Sequence, residues 1–174
     1  MSCNLTAGWV VDCKDSQGGI NKVYILKEPL VDFTAADGII TALETTTSAV
    51  VDGADWFVFE VPKQTSSFTE TINASIENGT VFYEQSLTLI FNKMEATKRN
   101  QILLMAQNEK LFIAVEDGNG TFWSIGLTRG ASLSAGSVTS GVAYGDRNGG
   151  ELTLTGMEPD PSYTITAAIV NVTA

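Results

Sequence analysis

In "DWFVFEVPK" the side chains alternate. Trp56, Val58 and Glu60 fall on one side and Phe57, Phe59 and Val61 on the other, a period of two that predicts a strand. The same period runs further in "TVFYEQSLTLIFNK". There Val81, Tyr83, Gln85, Leu87, Leu89 and Phe91 oppose Phe82, Glu84, Ser86, Thr88, Ile90 and Asn92. One face is mostly apolar and the other mixed, as in a sheet covered on one side. "SSFTETINAS" precedes it, and Asn78-Gly79 between them predicts a type I′ hairpin turn. A polar turn at Asp15 to Gly19 feeds a further strand near Val23 to Lys27, which Pro29 stops or confines to an edge. "KLFIAVED" and "TFWSIG" flank the turn Gly118-Asn119-Gly120, and "ELTLTG" and "SYTITAAIV" are joined by "MEPDP". "GIITALE" fits a strand or one helical turn.

One segment reads as a helix, "NKMEATKRNQILLMAQN", which lacks Gly and Pro and is rich in helix formers. Asn92 with Glu95 three residues later matches a capping box, Ile102, Leu103 and Ala106 form an apolar stripe, and Asn108 supplies a stop. Between Leu127 and Gly149 small residues dominate, which predicts a loop of about twenty residues, a length that calls for a role in function or assembly. The expected fold is therefore mainly β (α+β): an antiparallel β-sandwich or barrel with one packed α-helix, about residues 93–107, and long loops. Residues 1–174 are read as a single domain, with an extended N-terminal segment (1–14), a loop near residues 30–50 and the long loop 127–149.

Composition narrows the chemistry. The chain has 174 residues, 20 acidic against 10 basic, for a net charge of −10. Such a surface repels phosphate backbones, so tight binding to DNA is not expected. Hydrophobic residues at 44% fit a folded protein, and a charged fraction of only 17% leaves room for surface buried against other subunits. There is no histidine, which removes the commonest general base near neutral pH, the commonest zinc ligand and every Ser-His or Cys-His dyad. Cys3 and Cys13 could pair, but free thiols in a reducing cytoplasm are the simpler expectation. Neither an apolar run of membrane-spanning length nor a signal-peptide pattern is visible, so the Asn-x-Ser/Thr sites at Asn4, Asn73, Asn78, Asn119 and Asn171 read as chance.

The glycine-rich stretch "SGVAYGDRNGGELTLTG" is the place to look for a phosphate or metal loop. No Lys-Ser or Lys-Thr follows a glycine, as a P-loop requires, and strands flank it where a dinucleotide loop needs a following helix. "DRNGGE" lacks the acidic spacing of an EF-hand, so Asp146 is expected to bond nearby backbone N–H groups and shape a turn. The glycines read as turns. Glu116 and Asp117 sit on adjacent positions, a poor geometry for glycoside hydrolysis. The basic cluster Lys93, Lys98 and Arg99 lies along the helix, facing solvent or an acidic neighbouring subunit. No catalytic set, cofactor site or metal site is expected, and the chain does not read as an enzyme.

Two parts of the chain carry a resemblance. "CNLTAGWVVDCKDSQGGINKVYILK" at the N-terminus is similar to the opening of a virion protein of tailed bacteriophages that infect Bacteroidetes and related hosts. "KRNQILLMAQNEKLFIAVEDGNGTFWSIG" through "TSGVAYGDRNGGELTLTGMEPDPSY" resembles the same group. The likeness covers about half the chain, and residues 30 to 90 match mainly in type of structure. It implies a structural component of the virion, most of all a tail-tube protein, assembled in the host cytoplasm. Such subunits are β-sandwiches or barrels that form rings, commonly hexamers, and the rings stack into a tube. The implied partners are copies of the chain itself and other virion proteins, with DNA as passing cargo. Two other readings stand beside it. One is another virion component, such as a head decoration, stopper or fibre-base protein; the other is a carbohydrate-binding module using Trp9, Trp56 or Trp123. The candidate assembly contacts are Arg129, Ser132, Ser134, Ser137, Thr139, Tyr144 and Asp146 in the long loop, with Trp9 in the N-terminal segment.

Overall fold

The computed structural model describes residues 8–9, 11, 13–47, 50–51 and 55–166. In chain order they form β1 (Ile20–Leu26), β2 (Leu30–Ala36), β3 (Ile39–Thr45), β4 (Trp56–Glu60), β5 (Ser67–Ser75) and β6 (Thr80–Asn92). The helix α1 (Ala96–Gln107) follows, then β7 (Ile113–Asp117), β8 (Phe122–Ile125), β9 (Ala131–Thr139), β10 (Gly149–Glu158) and β11 (Thr164–Ile165). Seven strands make one sheet in the order β2-β3-β11-β8-β7-β1-β4, and four make a second in the order β5-β6-β10-β9. Both sheets are open, so of the two expected architectures the sandwich is the one formed. The fold is mainly β with one helix, as the alternation along the chain predicts.

Two apolar clusters hold it. Val23 and Ile25 of β1, Ile113 and Val115 of β7 and Ile125 of β8 meet Leu87, Leu89, Leu152 and Leu154 of the four-stranded sheet. The alternate residues Tyr24, Leu26, Phe112 and Ala114 pack with Ile40 and Leu43 of β3, Val51 and Trp56. β1 and β7 are thus covered on both faces, which explains why they read as continuous apolar runs. β6 alternates, because only its Gln85, Leu87 and Leu89 side faces the core.

The chain passes between the sheets at the β8–β9 turn, where glycine is required. Gly126 and Gly130 have φ of 71° and 86°. A Cβ at Gly126 would lie 2.7 Å from Leu111 O and 2.8 Å from Gly130 C. Buried polar side chains hold the same turn. Gln85 Oε1 accepts the Gly126 N–H at 3.0 Å, and Glu158, 2% exposed, accepts the N–H groups of Thr128 and Arg129 at 3.1 and 2.9 Å. An amide in place of that carboxylate would turn one acceptor into a donor facing an N–H. Glu158→Gln is therefore expected to cost about 1–3 kcal/mol in urea unfolding, and an unchanged midpoint would remove this role.

Several expectations are corrected. The stretch Leu127–Gly149 is not one loop: Ala131–Thr139 is strand β9, paired along β10. Its small residues fit there because Leu152 Cδ2 approaches Gly136, where a Cβ would lie 2.9 Å away. Residues 30–50 hold the β2–β3 hairpin, turned by Asp37-Gly38 with φ of 51° and 77°, the positive values a type I′ turn needs. Asn78-Gly79 does not make that turn. Only Gly79 has positive φ, and four residues separate β5 from β6. Gly149, Gly150 and Gly156 lie inside β10, not in turns, and a Cβ at Gly150 would press on the Phe91 ring at 2.7 Å.

The helix is also shorter than expected. Asn92 ends β6, and the N-cap is Glu95 with no side-chain cap hydrogen bond. Lys93 and Lys98 pair with Glu95. Met105 and Ile102 face the core while Leu103 and Ala106 are exposed. Asn108 does end the helix, its Nδ2 donating to Leu104 O at 2.8 Å.

Candidate functional site

The four-stranded sheet has a surface with few charges. Its strands β5, β6, β9 and β10 contain no Lys or Arg, and four glutamates are their only charges. Glu70 and Glu158 point inward: Glu70 Oε2 accepts from Ser162 N and Oγ at 2.7 and 2.6 Å, and Glu158 holds the β8–β9 turn. Glu84 and Glu151 point outward. Around them the strand registers lay hydroxyls side by side, as in the row Thr69, Ser86, Thr155, Ser132 and the row Ser67, Thr88, Thr153. The outward face is thus mostly small, polar and acidic, with Phe82 and Met157 exposed at one end. Its strands offer a phosphate no cation.

Both borders of this sheet are edge strands of nine residues. Among the described residues β5 pairs with β6 alone, and β9 pairs along β10 with only its first residue, Ala131, bridged on the other side, to Leu111. β9, "ASLSAGSVT", carries no charge, so it lacks the lysines and prolines that usually blunt an edge. Adjacent strands are antiparallel throughout, so β5 and β9 run in opposite directions. Two copies set edge to edge would therefore continue the antiparallel pattern across the seam.

The candidate contact residues fall into three places. Ser132, Ser137 and Thr139 lie on the outward face of β9, and Ser134 sits at a bulge with its Oγ donating to Thr153 O at 3.0 Å. Arg129 is in the β8–β9 turn. Tyr144 and Asp146 are in the loop joining β9 to β10, where Tyr144 is fully exposed. Trp9 is exposed in the N-terminal segment, far along the chain from the rest. Asp146 behaves as expected: its Oδ2 accepts the N–H groups of Ala143 and Val142 at 2.8 and 2.9 Å, and these bonds hold its carboxyl below the usual carboxylate range. A depressed pKa means the loop's order is complete above the ordinary Asp value of about 3.9 and is lost as pH falls through the lower folded value. Loop amide exchange is expected to rise only at such acid pH, and at all pH in Asp146→Asn. Equal exchange in both proteins would show that the carboxylate does not order the loop.

Other candidate chemistry is dispersed or already engaged. Glu116 accepts the Tyr24 hydroxyl at 3.0 Å, and burial with this bond raises that phenol to about 12. Asp117 instead accepts Asn119 N, Thr121 N and Trp123 Nε1 at 2.8, 2.9 and 3.2 Å. Burial alone would raise its pKa, but these bonds outweigh it and lower the value. The two acids thus serve different partners. Trp56 is buried at 5% exposure, which removes it as a stacking platform for sugars. Trp123 lines an open groove with Gln17, Gln64, Ser66 and Asn119. Most of its polar groups are occupied: Asn119 clasps Gln17 N and O at 2.7 and 3.1 Å, and Ser66 Oγ accepts Ile90 N. No group of three or more metal-ligating side chains occurs among the described residues, and no described helix is long and apolar enough to cross a membrane. Cys13 is exposed with a free thiol, and Cys3 lies outside the described residues.

Sequence reasoning missed the far end of the β5–β6 hairpin. Ile72, Ile76 and Val81 are exposed there because the inward face of that hairpin runs past the cover of the other sheet. The alternation was visible, but how far the opposite sheet extends is a tertiary fact. No protein-family model and no curated protein matches the chain.

Proposed function

We propose that the chain is a structural subunit of a tailed-phage virion that assembles into rings, and that the rings stack as a tail tube through which DNA passes. The observation that carries this reading is the four-stranded sheet. It joins a cation-free, hydroxyl-lined face to two edge strands of equal length and opposite direction, of which β9 is engaged only at Ala131. Head-to-tail joining of β9 to the β5 of the next copy is heterologous, and such contacts close into a ring when the rotation between copies allows. The sheets of all copies would then form one continuous wall with the core behind it. Acidic groups and hydroxyls facing the lumen would let a polyanion slide without adhesion. A head decoration, stopper or fibre-base role would use the same sandwich without needing the wall.

Negative-stain electron microscopy and mass photometry on the purified chain test the proposal. Rings or short tubes with a central channel are expected. Monomers that stay dispersed at high concentration, and that no other virion protein nucleates into rings, would sink it.

A further inference from the structure

One side of the sandwich is incompletely closed. Phe59 of β4, Val61 just after it, Phe91 of β6 and Ile102 of α1 border the inter-sheet core but are only partly buried. With Leu89, Met105 and Leu152 they line an almost wholly apolar hollow of about 210 Å³, rimmed by Thr97, Lys98 and Gln101. β4 pairs with β1 alone among the described strands, so its other backbone edge is free beside the hollow. An apolar hollow next to a free strand edge suits an extended segment whose backbone pairs with the edge while alternate side chains fill the space.

The chain carries such a segment. The N-terminal stretch is clasped to the sandwich by Asn119, which bonds Gln17 and Ser16. Before Ser16, no hydrogen bond joins the described residues to the sandwich. There Trp9 and Val11 stand 97% and 101% exposed. Two residues apart, they share one side of an extended chain. An indole left wholly in water forgoes the burial that aromatic side chains usually find at interfaces. In this chain Trp9 is outside its own hollow, so a second copy is the occupant to which the geometry points.

We propose that Trp9 and Val11 of one copy dock into the hollow between β4, β6 and α1 of a neighbouring copy, adding a strand along the free edge of β4. The proposal rests on the ring-forming reading for its supply of neighbours, but its test does not. A fluorescent peptide of residues 5–15 is titrated into the full chain bearing Trp9→Ser and Val11→Ser, and anisotropy is measured. Saturable binding is expected. Loss of the indole from the peptide should weaken it by about tenfold or more, as for an aromatic anchor. Gln101→Trp in the chain, which fills the hollow from its exposed rim, should do the same. Absent binding, or binding indifferent to both changes, overturns the docking. Peptide binding by a chain that never forms rings would leave the docking standing and the ring reading lost; rings without peptide binding would do the reverse. A Gly8→Cys, Gln101→Cys chain with Cys3 and Cys13 changed to Ser, which keeps Trp9 and Val11, decides the source of the segment under mild oxidation. Disulfide-linked dimers and larger species support a second copy, and an intrachain link confined to monomers overturns it.

Discussion

Ser137→Lys combined with Val138→Lys is expected to abolish ring formation while leaving the fold intact. The two positions lie at the far end of β9, one on each face of the sheet. Ser137 is opposite Glu151 and Val138 opposite Gly150, and both are exposed. Neither contributes to the buried clusters, so the unfolding midpoint should move by no more than about 0.5 kcal/mol, as for ordinary surface changes. At a seam between β9 and β5 the same lysines would border the joining backbone on both faces, the arrangement by which natural edge strands resist pairing. Loss of assembly by about tenfold or more is the expected reading in mass photometry. Rings that persist with both lysines would show that β9 is not the joining edge. Leu103→Lys, also exposed but on α1, serves as the comparison and should assemble normally.

Gly126→Ala is expected to destabilise the chain by roughly 2–5 kcal/mol, from a left-handed backbone penalty together with overpacking. Both causes act at one atom. The φ of 71° is unfavourable for any L residue with a Cβ, and the methyl would press on Leu111 O, Gly130 C and the Ala131 N–H. Those groups form the bridge in which Leu111 and Ala131 exchange backbone hydrogen bonds at 2.8 Å. That bridge ties the entry to β7 in one sheet to the start of β9 in the other, so separating it strains the crossing between layers. Against a total stability of about 5–15 kcal/mol for a domain, such a loss is large. Gly145→Ala has open space and no positive φ, and should be near neutral. Equal denaturation midpoints for the two variants would refute the argument.

Much of this architecture is legible in local pattern. The period of two in "TVFYEQSLTLIFNK" gives β6 with its inward side correct, because one face is covered and the other is open. The sequence marks Asp146 as a turn-shaping acid, and its carboxylate accepts the N–H groups of Val142 and Ala143. β9 escaped because a strand of Ser, Ala and Gly carries no apolar alternation. Its small residues match the close approach of Leu152 to Gly136, which only the paired sheet reveals. The capping box at Asn92 failed for a related reason: β6 extends through that residue in register with Gly149, so the sheet claimed it before the helix could. Of the candidate contacts, sequence reasoning names all four polar residues on β9 but has no means of knowing that they lie along a sheet edge.

The sequence by itself determined the class of fold, the central strands β1, β6, β7, β8 and β10, the place of the helix and the lack of histidine-based chemistry. Each follows from local side-chain period or from residue types present or missing. Only the tertiary structure decided that Ala131–Thr139 is a strand, that β5, β6, β9 and β10 share one sheet, and that an apolar hollow opens beside β4. Those features depend on which segments become neighbours across long stretches of chain. Hydrogen-bond pairing and close packing select neighbours over the whole molecule at once, and no local window carries that information.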